Sequence, residues 1–209
     1  MGSPNYKELI GIILIGILQP LTEIVFGAQL SSYYNFVAAA FVLGYVVYRL
    51  ITQPSFFKLW GLRFDTFWAS VPVYTWFTVV SCVVIYAGGY YLGHTPLPIT
   101  FWYLLALYPI WGIAQQFALQ NLVARNLTRI APHVYMRALI SGVVFSLAHT
   151  PSYLLMGLAA VAGFCFTILY DRKPNLLVLG ISHGILGALI FYLILGQNQW
   201  EILRIYLGT

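Results

Sequence analysis

Apolar residues fill this chain in runs of about twenty, the length that an α-helix needs to cross the hydrocarbon layer of a bilayer. Seven such segments can be read from the sequence. Their approximate bounds are 9–28, 33–52, 67–92, 99–124, 137–150, 152–170 and 174–196. Strands of an outer-membrane barrel would instead alternate apolar and polar residues over about ten positions. The pattern therefore predicts an all-α polytopic membrane helix bundle with about seven transmembrane spans.

The composition excludes the other broad classes of protein. Of the 209 residues, 61% are apolar and only 7% are charged, whereas a soluble domain carries about 25% charged residues. Disordered chains combine low hydrophobicity with high charge, and this chain does the opposite. Two cysteines are too few for a disulfide scaffold. An integral membrane protein is the class that remains.

The basic residues predict the orientation of the chain. With the N-terminus in the cytoplasm, nine of the ten Lys and Arg residues fall on the cytoplasmic side, and only Arg204 falls outside. Such a bias is what the positive-inside rule expects. The net charge of +5 is therefore explained by membrane orientation, and we expect no nucleic acid as a partner.

The chain shows no sign of division into separate domains. No repeat or linker interrupts it, so residues 1–209 are predicted to form a single integral-membrane domain. Residues 54–65 alternate apolar, aromatic and basic side chains, which is typical of an amphipathic segment that lies in the membrane interface.

Polar side chains inside three of the apolar segments are candidates for a functional site, because such residues are costly in hydrocarbon. They are Gln115, Gln116 and Gln120 on the fourth segment, His149 on the fifth and His183 on the seventh. Gln115, His149 and His183 each lie ten to twelve residues from a basic residue at the cytoplasmic end. At about 1.5 Å per residue, this places them about 15–18 Å deep. We expect them to converge near the middle of the membrane.

Structural roles for the same residues remain open. The glutamines could join helices by hydrogen bonds, and the histidines could be satisfied core residues. Phe145 lies four residues before His149 and could pack against its ring. Glu23, the only carboxylate within a predicted span, could reach the outer interface or turn inward to the polar cluster.

Metal binding is possible at this cluster but is not favoured. A catalytic zinc site normally takes three protein ligands from His, Cys or carboxylate, and only two histidines are present in the cluster. We therefore predict no metal and no other cofactor. A neutral histidine can instead act as a general base near pH 7, and glutamine amides can donate hydrogen bonds to an oxyanion.

The ordered motifs resemble the CPBP family, also called ABI, which contains the CAAX prenyl proteases of the endoplasmic reticulum type and bacterial bacteriocin-processing relatives. The family pattern is Glu-Glu-x-x-x-Arg, then Phe-x-x-x-His, then His-x-x-x-Asn. Here the matching stretches are Gln115 to Gln120, Phe145 to His149, and His183 to Gly187, within a similarity that covers about residues 55–190. The resemblance implies a membrane-embedded site for a lipid, isoprenoid or lipidated peptide, and we expect the bacterial inner (plasma) membrane as its location.

The departures from the family pattern are concerted. In the family, the first Glu and the first His are understood to activate water, and the second His and the Asn to hold the oxyanion. Here Gln115 and Gln116 replace both glutamates, Gln120 replaces the arginine and Gly187 replaces the asparagine. Glutamine cannot take a proton from water, so glutamate-dependent proteolysis is not expected.

Three functions compete on this basis. The first is an enzyme acting on a lipid-like, isoprenoid or prenylated peptide substrate. Its catalytic residues would be Gln115, Gln116, His149 and His183, and its substrate-binding residues Gln120, Phe145, Glu23 and Gly187. The second is a non-catalytic pseudoprotease that binds a lipidated peptide or a partner helix. The third, a transporter or channel, is disfavoured because inverted repeats and a charged lining are lacking.

Overall fold

The computed structural model describes residues 4–207, other than the side chains of residues 28, 29, 31, 32, 35, 36, 203 and 205–207. Within that range the chain is helical and contains no strand. The α-helices are α1 (Tyr6–Phe26), α2 (Ala28–Thr52), α3 (Phe56–Leu59), α4 (Phe67–Tyr91), α5 (Ile99–Phe117), α6 (Val134–Leu147), α7 (Tyr153–Arg172), α8 (Leu176–Leu189) and α9 (Gln199–Leu207). Each predicted apolar segment is helical over most of its length, so the all-α prediction is confirmed.

Two α-helices continue into wider turns. A π-helical stretch, Ala118–Ala124, follows α5 and leads into a 3₁₀ turn at Arg125–Leu127. A second π-helical stretch, Ile190–Ile194, follows α8. The sequence predicts one continuous helix over 99–124, and the π-helical stretch changes the phase of its last two turns.

Four helical stretches within the described residues are long and apolar enough to cross a membrane: Tyr6–Phe26, Phe67–Tyr91, Tyr153–Arg172 and Leu176–Ile194. Val37–Thr52 and Val134–Leu147 are shorter apolar stretches. The chain is an integral membrane protein. Seven spans and a cytoplasmic N-terminus stay predictions.

Burial of polar and apolar side chains follows the pattern that a lipid solvent favours. Large apolar residues such as Phe41, Trp76 and Val83 are exposed. At the same time, five of the described amide side chains are at most 1% exposed: Gln116, Gln120, Asn121, Asn126 and Asn175. Buried amides need hydrogen-bond partners, and these partners organise the two compact units described next.

The first unit contains residues 1–62 and 117–172. Its helices α6 and α7 approach very closely, since a Cβ atom on Gly142 would lie only 2.6 Å from the Ala160 oxygen. Arg137, near the start of α6, pairs with Asp171 at the end of α7. An apolar cluster of Leu9, Leu119, Val123, Leu127, Phe145 and Ala159 forms the core.

The predicted interfacial segment begins in this first unit. Trp60 is fully buried, and its carbonyl accepts hydrogen bonds from Asn121 Nδ2 at 3.1 Å and from the Tyr170 hydroxyl at 2.9 Å. Phe57 is exposed. The interfacial position of residues 54–65 stays a prediction.

The second unit contains residues 63–116 and 173–209. Asn175 caps the N-terminus of α8, because its side-chain oxygen accepts a hydrogen bond from the Val178 N–H at 3.2 Å. The Asn175 amide also donates to the Arg63 carbonyl at 2.7 Å. The apolar core of this second unit includes Phe101, Leu104, Ala188 and Tyr192. That the whole chain forms a single integral-membrane domain stays a prediction.

Candidate functional site

Both ring nitrogens of His183 are hydrogen-bonded by glutamines of α5. Gln116 Nε2 lies 2.9 Å from His183 Nδ1, and His183 Nε2 lies 2.9 Å from Gln115 Oε1. The Gln116 amide can only donate through this atom, so Nδ1 accepts and Nε2 carries the proton. The arrangement describes a neutral imidazole with a fixed tautomer.

Gln116 and Gln115 differ in the exposure of their side chains. Gln116 is fully buried, and His183 is 8% exposed. Gln115 is half-buried. Its amide nitrogen makes no hydrogen bond within residues 4–207. Two N–H donors of Gln115 are therefore available to an incoming acceptor.

Glycines bring α5 and α8 close enough for these hydrogen bonds. A Cβ atom on Gly112 would lie 2.4 Å from the Gly180 oxygen, and one on Gly184 would lie 2.6 Å from the Cα of Pro109. Any larger residue would push the two backbones apart. The Gly-x-x-x-Gly spacing of Gly180 and Gly184 thus sets the distance over which Gln115 and Gln116 reach their partner.

Gly187 lies on the same helix as His183 and faces a ring. A Cβ atom there would approach Tyr108 Cε1 to 2.8 Å. Tyr108 therefore takes up the space into which a side chain at position 187 would extend. A glycine fits at position 187, where the family pattern has asparagine, because the Tyr108 ring leaves no room for a larger side chain.

Ser182, the neighbour of His183, is occupied by a structural contact. Its hydroxyl oxygen lies 2.6 Å from that of Thr78, and the Thr78 hydroxyl donates to the Tyr74 carbonyl at 2.7 Å. Ser182 is therefore the donor to Thr78. Its hydroxyl joins α4 to α8 in a buried position.

His149 lies in the first unit, just beyond the end of α6. Its Nδ1 lies 2.7 Å from the Phe145 carbonyl, which can only accept, so Nδ1 carries the proton. Within the described residues Nε2 makes no hydrogen bond. The two rings are 4.7 Å apart at 76°, so the predicted packing of Phe145 against His149 is present.

The remaining predicted residues also lie in the first unit. Gln120 is 1% exposed within the π-helical stretch. Glu23 is half-buried and accepts a hydrogen bond from Gln19 Nε2 at 3.2 Å on its own helix. Their substrate-binding roles, like that of Phe145, stay predictions.

The sequence reasoning missed a second polar cluster, centred on Glu8. This carboxylate accepts from Arg125 Nη2 at 2.8 Å and from Asn126 Nδ2 at 3.0 Å, and it also pairs with Arg49. Glu8 lies one residue before the first predicted span and Arg49 lies near the end of the second. Glu8 and Arg49 have opposite charges and lie at the same predicted side of the membrane on consecutive spans, and this pattern could have revealed their ion pair.

Metal-binding chemistry has little support from the side chains. Among residues 4–207 no group of three or more His, Cys, Asp or Glu residues is placed to hold a metal ion. The groups at His183 that could bind a metal are its imidazole and the amides of Gln115 and Gln116. Amides are weak metal ligands. The absence of a metal and of any cofactor stays a prediction.

Comparison with known proteins gives one match. Residues 95–189, just under half of the chain, match the family model of type II CAAX prenyl endopeptidase Rce1-like proteins. Over these residues the chain is similar to Rce1-like proteins, which is consistent with a member of the CPBP family. The predicted resemblance is thus confirmed over the segment that holds the three motifs. No curated protein and no solved structure matches the chain.

The match gives the geometry around His183 a context. Gln115 and Gln116 occupy the positions at which the family pattern has its two glutamates, and they bracket a neutral His183. The hydrogen bonds of His183 given above join α5 to α8 through amide side chains at these two positions.

Proposed function

We propose that this Rce1-like protein is a membrane enzyme that acts on a prenylated peptide or another isoprenoid-bearing substrate, with His149 as its general base. The observation that carries the proposal is the state of His149. Its Nδ1–H is held by a backbone carbonyl at 2.7 Å, and its Nε2 lone pair makes no hydrogen bond within the described residues.

A histidine held in this way suits proton abstraction. The carbonyl partner selects the tautomer and fixes the ring, and the open nitrogen is the basic one. Burial of Phe145 against the ring restricts its rotation further. A neutral imidazole of this kind contributes about 10²–10⁴-fold to a proton-transfer step.

Two reaction types are compatible with this base. In hydrolysis, His149 Nε2 takes a proton from water while the water oxygen attacks the substrate carbonyl carbon, and the proton then passes to the leaving nitrogen. In an isomerisation, Nε2 takes the proton from a substrate carbon and returns it to another. The family favours a peptide substrate with a prenyl group, which is why we name that class first.

The test is turnover of a farnesylated CAAX peptide by the purified protein in lipid nanodiscs. Mass spectrometry separates cleaved fragments from an isomer of unchanged mass. We expect His149→Ala to lower turnover at least about 100-fold. His133→Ala, the same substitution at an exposed histidine, serves as the control and leaves turnover unchanged. Equal turnover by wild type and His149→Ala would contradict the assignment of the base.

A second candidate function, binding without catalysis, is favoured by a different observation. Both nitrogens of His183 are engaged by amides, and Gln115 offers two N–H donors from a half-buried position. Such donors suit a carbonyl oxygen of a bound lipidated peptide. If the farnesylated peptide binds reversibly without turnover, and Gln115→Leu weakens binding while His149→Ala does not, the protein is a binder and not an enzyme.

A further inference from the structure

We propose that the first unit carries a site for the phosphate group of an anionic phospholipid, formed by Lys7, Arg49 and Arg125 around Glu8. The site uses none of the residues assigned to the Rce1-like motifs. It therefore stands independently of the proposed function.

Charge at this site is unbalanced. The Glu8 side chain is 3% exposed, and it pairs with Arg125 Nη2 at 2.8 Å and with Arg49 Nη1 at 3.3 Å. One carboxylate thus faces two guanidinium groups, and Lys7 lines the adjoining cavities as a third cation. Glu8 is the only carboxylate among the described residues that line them. An excess of two positive charges at a partly buried site favours an anion from outside.

The remaining bonds of Glu8 come from neutral groups. Asn126 Nδ2 donates to Oε2 at 3.0 Å, and the Tyr45 hydroxyl donates to Oε1. The carboxylate is therefore saturated by its own neighbours. It holds the two arginines in place without neutralising both of them.

The guanidinium of Arg49 has N–H groups that make no hydrogen bond in the described part of the chain. Its Nη1 is used by Glu8 and Tyr45, whereas its Nε is buried without a hydrogen-bond partner in the described part of the chain. The guanidinium carbon lies 4.2 Å from the centre of the Phe56 ring, which fixes the plane of the group. The Nη2 of Arg49 also makes no hydrogen bond within residues 4–207, and such a donor on a planar guanidinium matches the oxygens of a phosphate group.

Two adjoining cavities match the two ends of an amphiphile. The larger, of about 690 Å³, has the three cations Lys7, Arg49 and Arg125 in its lining, beside apolar groups such as Phe56 and Leu59. The smaller, of about 280 Å³, is lined mostly by apolar residues, among them Gly11, Ile12, Ile15, Phe41 and Val42. Asn5, Lys7, Glu8 and Arg49 line both cavities. A headgroup phosphate at these shared residues would direct an acyl chain along α1 and α2.

Location also favours a lipid as the occupant. Glu8 lies in the first turns of α1, a helix long and apolar enough to cross a membrane. Basic groups at such an end are attracted to anionic lipids by about 1 kcal/mol each, which corresponds to a factor of about five in binding. The inferred ligand is therefore the phosphate diester of a phospholipid with a net negative charge.

The experiment measures how much phosphatidylglycerol the protein retains from phosphatidylcholine nanodiscs, by native mass spectrometry. We expect preferential retention of phosphatidylglycerol by the wild type. Lys7→Gln should lower its retention about fivefold. Lys58→Gln, at an exposed lysine of the predicted interfacial segment that lines neither cavity, should lower it much less than Lys7→Gln does. Glu8→Gln raises the excess of positive charge and should increase retention.

Three results would overturn the inference. One is equal retention of phosphatidylglycerol by wild type and Lys7→Gln. Another is a loss in Lys58→Gln as large as that in Lys7→Gln, which would indicate a diffuse charge effect. The third is displacement of the lipid by inorganic phosphate, which would indicate a free-phosphate site. Lys7 is exposed, so its substitution tests the site even if Glu8→Gln prevents folding.

Discussion

Replacing Gly184 by alanine should separate α5 from α8 and loosen the Gln–His–Gln arrangement. A Cβ atom at position 184 would lie 2.6 Å from both Cα and N of Pro109 and 2.9 Å from the Tyr108 carbonyl carbon. These are backbone atoms, so no change of side-chain rotamer can relieve the overlap. One helix has to move by several tenths of an ångström or more.

The size of the effect follows from two contributions. Overpacking of a well-packed interface costs about 1–3 kcal/mol. Movement of the helices also lengthens the 2.9 Å hydrogen bonds of His183, and each lost bond adds about 1 kcal/mol. We expect Gly184→Ala to lower the free energy of unfolding by about 2–4 kcal/mol.

The matched control is Gly157→Ala in α7. No atom lies within 4 Å of a Cβ built on Gly157, so alanine fits there and removes the flexibility of a glycine within a helix. This substitution should raise the free energy of unfolding by about 0.5–1 kcal/mol.

Thermal denaturation of the detergent-solubilised protein measures both effects. At about 2–4 °C per kcal/mol for a chain of this size, Gly184→Ala should lower Tm by about 5–15 °C, and Gly157→Ala should raise Tm slightly. The reasoning is refuted if Gly184→Ala melts with the wild type, or if the two substitutions lower Tm equally.

Two further predictions concern single hydrogen-bonding groups. Gln116→Leu should lower the free energy of unfolding by about 1–3 kcal/mol, because it removes a fully buried donor to His183. Gln115→Leu should cost less, since Gln115 is half-buried and water can reach its position; a larger loss for Gln115→Leu in the same melting assay would contradict this. Asn175→Ala should lower the free energy of unfolding by about 0.5–2 kcal/mol through loss of the α8 cap. Undiminished Tm in Asn175→Ala would show that the cap contributes nothing.

Helix positions were predictable because they depend on a local property. Each run of apolar residues must satisfy its own backbone hydrogen bonds when it leaves water, and a helix does so within one segment. The predicted segments 67–92 and 152–170 therefore coincide closely with α4 and α7. The π-helical stretch after α5 was not predictable, because packing around the buried Gln120 and Asn121 is not encoded in apolar periodicity.

Candidate polar residues were also identifiable from the sequence, since amides and imidazoles in apolar runs must find partners. Their partners could not be assigned from the order of residues alone. That Gln116 donates to Nδ1 of His183 and Gln115 accepts from Nε2 depends on the rotation of α5 about its axis and on the glycine contacts that fix its distance from α8.

The Glu8 cluster illustrates the limit of sequence reasoning. Its four groups, Glu8, Arg49, Arg125 and Asn126, come from three separate stretches of the chain. By itself the sequence determined that this is a helical membrane protein with buried amides and histidines, because solvent transfer acts on each segment separately. Only the tertiary structure decided which of these groups meet, because hydrogen bonds and ion pairs require contact within about 3 Å between residues far apart in the chain.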